Sequence, residues 1–300
     1  MNPSFKNLVK KNKFLLTLLY PLLWIRRKNA ILKERRKSNF LKEIASHIKG
    51  GSLVLEAKDY KGTFEIDFRS DLLQRLLIYG DYEKEIVQLI EKYIDPKKDV
   101  LDVGANIGLH TVLFSKLINS DKKVLAFEPT PNALKYLRNN LQINNCDDKV
   151  IIYNGIATDS KGQFELNIIE GMEEYSAVGQ INHPNVLGMK FNTIKVQGNT
   201  IDELVKEHNL RPGFIKIDTE GAEHFVFEGA KETINKYKPV IISELSDNLL
   251  KAQGFNCERI FENLKRIGYK IYDANSFKPA SNKFEGNFIA IYGLLVESNK

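Results

Sequence analysis

Val100-Leu101-Asp102-Val103-Gly104-Ala105-Asn106-Ile107-Gly108 is the stretch that decides the fold of this chain. An apolar run ends in an acid and a glycine-rich turn, and a helix-like stretch over 109–118 follows. The pattern predicts a buried strand, a tight turn and a helix N-terminus, the entry to a nucleotide-type site in an α/β sheet. Any strand-to-helix turn of a parallel sheet shares part of this pattern, so the downstream residues matter. A second apolar run, Val124-Leu125-Ala126-Phe127, stops at Glu128, twenty positions past Gly108. An acid at the tip of a second strand can grip both hydroxyls of a ribose.

Strand and helix patterns alternate from there. Apolar runs predict strands at 99–103, 123–127, 149–153, 213–217 and 239–243, with weaker ones at 269–272 and 286–294. Helical spacing predicts helices at 108–118, 131–144, 200–208, 222–236 and 256–267. Such alternation means a mostly parallel sheet covered on both faces. Two strand-like runs, Phe164-Glu165-Leu166-Asn167-Ile168 and Thr193-Ile194-Lys195-Val196, flank a long loop over 171–192 that reads as a lid or substrate wall. Upstream, residues 51–72 suggest a small hairpin turning at Lys61-Gly62. A helix follows, with Asp81 as candidate N-cap. The expected organisation is a basic arm over 1–50, a hairpin and helix over 51–95, and the α/β domain over 96–300.

The charge is uneven. Residues 1–50 hold 13 Lys/Arg and two acids, a net +11, whereas the rest of the chain holds 31 Lys/Arg and 36 Asp/Glu. A basic arm on an acidic body argues against a nucleic-acid enzyme, whose basic patch would surround the cleft. The arm carries twelve nearly all-apolar residues over 14–25, flanked by Lys10, Lys11, Lys13, Arg26, Arg27 and Lys28. As helix they would span about 18 Å, short of the roughly 30 Å hydrocarbon core. Two readings stand: an interfacial helix over 10–28 among anionic headgroups, or a helix packed on the domain or a second subunit. Cys146 and Cys257 stand far apart and five histidines are scattered. That pattern predicts a reducing, cytoplasmic setting, at most peripheral to the inner membrane face, and no metal site.

The glycine spacing then narrows the cofactor. A dinucleotide fingerprint reads G-x-G-x-x-G, but Asn106 stands where the second glycine should be and Gly108 falls one position early. Asp102 to Gly108 instead resembles the first motif of class I S-adenosylmethionine-dependent methyltransferases. Four ordered segments resemble successive motifs of the FkbM methyltransferase family: Asp102-Val103-Gly104-Ala105-Asn106-Ile107-Gly108, Ala126-Phe127-Glu128-Pro129, Ile156-Ala157-Thr158-Asp159-Ser160-Lys161-Gly162 and Ile215-Lys216-Ile217-Asp218-Thr219-Glu220-Gly221-Ala222-Glu223. Tyr79-Gly80-Asp81-Tyr82-Glu83 resembles the segment before the family's first strand. The resemblance implies a Rossmann-like, seven-stranded, mostly parallel sheet with the last strand antiparallel. It implies S-adenosylmethionine held by Asp102, Gly104, Asn106, Gly108 and Glu128, with Ala157 near the adenine. It also implies O-methylation, often of a sugar or natural-product hydroxyl.

Methyl transfer to an alcohol needs an in-line approach and removal of a proton. Asp218 ends the fourth core strand and Glu220 follows. If the helix already runs through Glu220, then Glu223 and His224 share its face. Glu244 ends the fifth strand. Asp218, Glu220 and His224 are the candidate base or hydroxyl clamp, and Glu223 and Glu244 the candidate acceptor contacts. Acids at a helix N-terminus also have a purely structural use, because the dipole stabilises them. Lys216 reads as a core-edge residue whose amine reaches the rim, and not as a catalytic one. The expected acceptor is a hydroxyl of a sugar or glycan precursor. The alternatives are a natural product or lipid headgroup, or a non-catalytic membrane-docked module with the same fold.

Overall fold

A computed structural model describes residues 50–179, 186 and 188–293, together with 32, 33, 36–40, 43 and 47. The arm segment 10–28 lies outside these residues. The described chain begins with a hairpin, β1 (Ser52–Ala57) and β2 (Gly62–Asp67), then helices α1 (Asp71–Tyr79) and α2 (Lys84–Tyr93). Next come β3 (Asp99–Val103), α3 (Leu109–Leu117), β4 (Val124–Phe127), α4 (Pro131–Ile143) and β5 (Val150–Tyr153). The short β6 (Ile156–Ala157) leads into an insertion of β7 (Gly162–Ile168), β8 (Ala177–Val178) and β9 (Asn192–Asn199). Alternation resumes with α5 (Ile201–Glu207), β10 (Pro212–Ile217), α6 (Glu223–Glu228), α7 (Lys231–Tyr237) and β11 (Val240–Leu245). The described part closes with α8 (Asp247–Ala252), α9 (Cys257–Ile267), β12 (Tyr269–Asp273) and β13 (Gly286–Tyr292).

Seven strands form the main sheet in the order β12-β13-β11-β10-β3-β4-β5. Only β13, the last in sequence, runs antiparallel to its neighbours. This is the α/β, class I methyltransferase architecture expected from the sequence. Both faces are buried, so the parallel strands carry apolar residues on both. Leu101, Val103, Ile215 and Ile217 pack in one cluster with residues of α5, α6, α7 and α9. Val100, Phe214 and Ile242 pack in the other with residues of α2, α3, α4 and the hairpin. Asp102 and Lys216 pair in register on neighbouring strands, on that second face.

Two asparagines fasten the hairpin to the domain. Asn140 of α4 donates to the carbonyls of Glu65 and Ile107 and accepts the Glu65 amide at 2.7 Å. One turn on, Asn144 exchanges two hydrogen bonds with the Thr63 backbone. Both side chains pair with β2 as a neighbouring strand would.

The helix expected over 222–236 is two helices, broken at Gly229-Ala230. A Cβ on Gly229 would lie 2.0 Å from the Thr158 carbonyl oxygen, so the chain there is tight against the insertion's entry. Asp202 of α5 then accepts the backbone amides of Glu232 and Thr233, restarting the helix with a cap from elsewhere in the chain. The loop over 171–192 holds a short 3₁₀ turn, Glu173–Tyr175, and strand β8. Helix α2 starts two residues later than Asp81 would place it, with Glu83 as the residue before its first turn. No helix among the described residues is long and apolar enough to cross a membrane.

Candidate functional site

A cleft of about 530 Å³ opens at the C-terminal ends of β3, β4 and β10. Its floor is the turn after β3. The amides of Gly104 and Ala105 both donate to the Phe127 carbonyl, tying that turn to the tip of β4. Gly104 has φ +80°, and a Cβ there would lie 1.9 Å from the Asp218 carbonyl oxygen. Two strand-end turns therefore touch at a position open only to glycine. Asn106 adopts φ +51°, a left-handed conformation that asparagine tolerates better than most residues.

Glu128 buckles this floor. Its Oε1 accepts the Thr130 amide at 2.8 Å and the Thr130 hydroxyl at 2.7 Å, and its Oε2 accepts the Asn106 amide at 2.8 Å. Burial pushes its carboxyl up to about 7, against the pull of those hydrogen bonds. Beneath the turn, Asp102 is fully buried and does not line the cleft. Thr111 donates to its Oδ2 at 2.6 Å, while its Oδ1 has no partner among the described residues.

The other end of the cleft is charged. Lys216 is buried, and its Nζ donates to Asp218 Oδ2 at 3.1 Å. Desolvation works against the ammonium, but the carboxylates of Asp218, Glu83 and Asp102 more than reverse it and hold Lys216 cationic. Glu83 sits at φ +46° before α2, with Oε2 3.5 Å from His110 Nε2. Burial pushes Glu83 up to about 7; Lys216 opposes the shift, and Asp218 and Glu244 add to it. Burial, with Lys216 adding to it, drives the His110 imidazole well down, so it is neutral. Glu220 lies in the turn before α6 at φ +52°; burial, then Asp218 and Glu244, push it up to about 9. Glu223 staples that turn, its Oε1 accepting from the Thr219 amide, the Thr219 hydroxyl and the Gly221 amide. Glu244 reaches the cleft from the end of β11.

Residues 102–271 match the methyltransferase FkbM domain. The chain belongs to the FkbM methyltransferase family. It is 29% identical over 177 residues to the 2-O-methyltransferase NoeI of Sinorhizobium fredii, covering 56% of this chain and 70% of that protein. It is 25% identical over 195 residues to the hexuronic acid methyltransferase AglP of Haloferax volcanii, covering 63% and 73%. Among solved structures, an FkbM methyltransferase from Methylobacillus flagellatus aligns with a TM-score of 0.43 at 16% identity. That alignment covers 66% of this chain and 44% of that one.

As a member of this family, the protein is a methyltransferase that uses S-adenosylmethionine, and its cleft fits that cofactor. The glycine at 104 keeps side chains off the floor. Glu128 has three of its roughly four acceptor positions filled from within, leaving room for a hydroxyl rather than the two expected from the sequence. Gly104, Asn106, Glu128 and Ala157 all line the cleft, whereas Gly108 lies behind it as the N-cap of α3. Asp218, Glu220, Glu223 and Glu244 line the same cleft, with the Asp218 backbone against Gly104.

His224 does not join them. It stacks on Phe255 at 3.5 Å between ring centroids and lines a different groove. The shared helical face fails because Glu220 precedes the helix, which begins only at Glu223. Sequence reasoning missed Glu83 and Arg75; Lys216, read there as a core-edge residue whose amine reaches the rim, does reach it, at Asp218. The signal for Glu83 was its place just ahead of a helix, in the segment that resembled the family. Arg75 is bound by Asp71 at 2.8 Å.

Proposed function

We propose that this enzyme O-methylates a hydroxyl of a sugar or glycan precursor, with Asp218 as the base. The observation that carries the reading is the pairing of the buried Lys216 with the partly exposed Asp218, opening into the same cleft as the glycine floor and Glu128. The names of the two relatives, a 2-O-methyltransferase and a hexuronic acid methyltransferase, support a sugar hydroxyl as acceptor.

Bound S-adenosylmethionine supplies a methyl group on a sulfonium leaving group. The backbone at Gly104 and the carboxylate of Glu128 would hold the cofactor, Glu128 by accepting from a ribose hydroxyl. Ala157, buried in β6, forms the wall beside the adenine. Asp218 would take the acceptor's hydroxyl proton as the oxygen–methyl bond forms and the sulfur–methyl bond breaks. Lys216 fixes the orientation of that carboxylate, so no reorganisation is needed at the moment of reaction. Glu220, whose carboxyl burial and then Asp218 and Glu244 push up to about 9, is the weaker candidate for base in the ligand-free cleft. The protein works in the cytoplasm, and its basic arm docks it at the inner membrane face.

Turnover of labelled S-adenosylmethionine against a panel of free and nucleotide-linked sugars tests the reading. Transfer to a sugar hydroxyl is the expected result. Transfer only to lipid headgroups or natural products overturns it.

A further inference from the structure

We propose that residues 171–179 are a hinged strap across the cofactor cleft, which must unlatch from α1 and α4 for S-adenosylmethionine to enter or leave. Glu173, Glu174, Tyr175, Ser176 and Val178 of this segment line the cleft. Its first half is tied to α1. Glu174 Oε1 accepts the Asp71 amide at 2.8 Å and the Ser70 hydroxyl at 3.3 Å, and the Tyr175 hydroxyl donates to Asp71 Oδ2 at 3.0 Å. Its second half is tied to α8, where Gln253 Nε2 donates to the Val178 carbonyl at 2.7 Å. Leu72 and Leu76 of α1 belong to the apolar cluster on one face of the main sheet, and Leu250 of α8 to the cluster on the other. A segment fastened to both helices therefore passes over the strand ends, where the cleft opens.

The fastenings are polar, and the apolar anchorage is small. Tyr175 packs with Ile169, Val186 and Met172 in a cluster of its own, apart from the two that hold the sheet. A unit with little buried apolar contact opens at a lower cost than the core. Each end of the strap carries a glycine in the left-handed region, Gly171 at φ +82° and Gly179 at φ +85°. Such positions absorb a large backbone rotation without moving the elements on either side. Beside the first of them, Glu173 Oε1 accepts the Gly171 amide at 2.9 Å and the Asn132 side chain of α4 at 3.0 Å. Breaking the bonds of Glu173, Glu174 and Tyr175 frees the strap from the body while the β7–β9 pair that carries it stays zipped.

One barrier then governs both directions of cofactor exchange. A ligand that enters and leaves only through the open form meets the same latch each way. Weakening the latch should speed association and dissociation by the same factor and leave affinity unchanged. A fixed wall behaves differently, because trimming it removes contacts from the bound ligand: dissociation alone rises, and affinity falls.

The test uses the full chain and S-adenosylhomocysteine, with both rates read by surface plasmon resonance. No acceptor takes part, so the outcome is independent of the sugar reading. Tyr175→Phe keeps the ring and removes the hydroxyl that Asp71 accepts; both rates should rise about tenfold, as for one hydrogen bond to a carboxylate. Asn132 does not line the cleft, so Asn132→Ala loosens the strap from outside, and both rates should rise at least about threefold. Thermal unfolding confirms that both variants fold. Asp71 is left intact because its Oδ2 also holds Arg75, at 2.8 Å. Hydrogen exchange reads the unmutated chain. The amides of Tyr175 and Ser176, bonded within the strap at 3.1 Å, should exchange well before those of β10. Faster dissociation without faster association makes the segment a fixed wall and overturns the proposal. Unchanged or slower rates overturn it too, as does a strap that exchanges only together with β10.

Discussion

Asp218→Asn keeps the shape of the side chain and removes the charge that Lys216 holds. Lys216 keeps Glu83 and Asp102 nearby, so the fold is expected to survive. Loss of a general base lowers turnover by about 10² or more. Affinity for S-adenosylmethionine should not change, because Asp218 stands at the acceptor end. Single-turnover kinetics beside calorimetry separates the two, and normal turnover with a cognate acceptor removes Asp218 from the role. Glu128 behaves differently, because it serves the ligand and the protein at once. Glu128→Ala removes a charge-assisted hydrogen bond worth about 1.5–3 kcal/mol, so cofactor affinity should fall at least tenfold. The same change strands the amides of Asn106 and Thr130, which Glu128 accepts in the folded protein. The melting temperature of the cofactor-free protein should therefore drop too. A variant with wild-type affinity would remove Glu128 from the cofactor site.

Where two turns meet, a single methyl group is enough to test the site. Gly104 and Gly80 both sit at φ +80°, but only Gly104 is crowded; a Cβ on Gly80 would meet nothing within 4 Å. Gly80→Ala is expected to cost about 1 kcal/mol, the backbone penalty alone. Gly104→Ala must push the β10 turn away, so it should lose both stability and most cofactor binding. Equal melting temperatures for the two variants would show that the contact between the turns is slack. The same contrast between local and distant causes explains what was legible in the sequence. Strands β3, β4, β10 and β11 are apolar runs largely buried on both faces, β5 is a half-buried apolar run at the sheet edge, and their pattern survives in one dimension. Helix α1 was missed because it follows directly on an alternating hairpin pattern. The break between α6 and α7 is imposed by Thr158 and Asp202, neither near it in sequence. Among site residues, the glycine turn, Glu128 and Asp218 stood at strand ends, where position implies role. Glu83 acquires its place only when the N-terminal helices fold across the sheet. His224 was misplaced by starting α6 one turn too early.

Taken as a whole, the molecule concentrates buried acids in one cleft and basic residues in one arm, and each has a measurable consequence. Glu83, Glu128 and Glu174 are pushed up to about 7, above the roughly 4.3 of an unfolded chain. A carboxyl with a raised folded pKa favours folding while protonated and loses that contribution as pH rises through its folded value. His110, held well below its ordinary value, opposes them up to about pH 6.5, so the melting temperature of the ligand-free protein should fall between about pH 6.5 and pH 8; a flat or rising profile there would contradict the burial of these groups. The arm sets the other expectation. Residues 1–50 carry a net +11 around the apolar segment 14–25, on a body whose remaining residues are net acidic. Each basic residue near an anionic surface contributes on the order of 1 kcal/mol, and the attraction decays within a Debye length. Full-length protein should sediment with anionic vesicles and be released by high salt. Deleting residues 1–40 should abolish that binding while leaving methyl transfer to a soluble acceptor nearly intact, because the described residues that line the cleft begin at Asp71. If the apolar segment instead packs on the domain or on a second copy, the outcome reverses. The full chain would then ignore vesicles, and the truncated chain would melt at a much lower temperature or change its oligomeric state. Co-sedimentation and thermal unfolding of both chains, run side by side, decide between a membrane-seeking arm and a structural one.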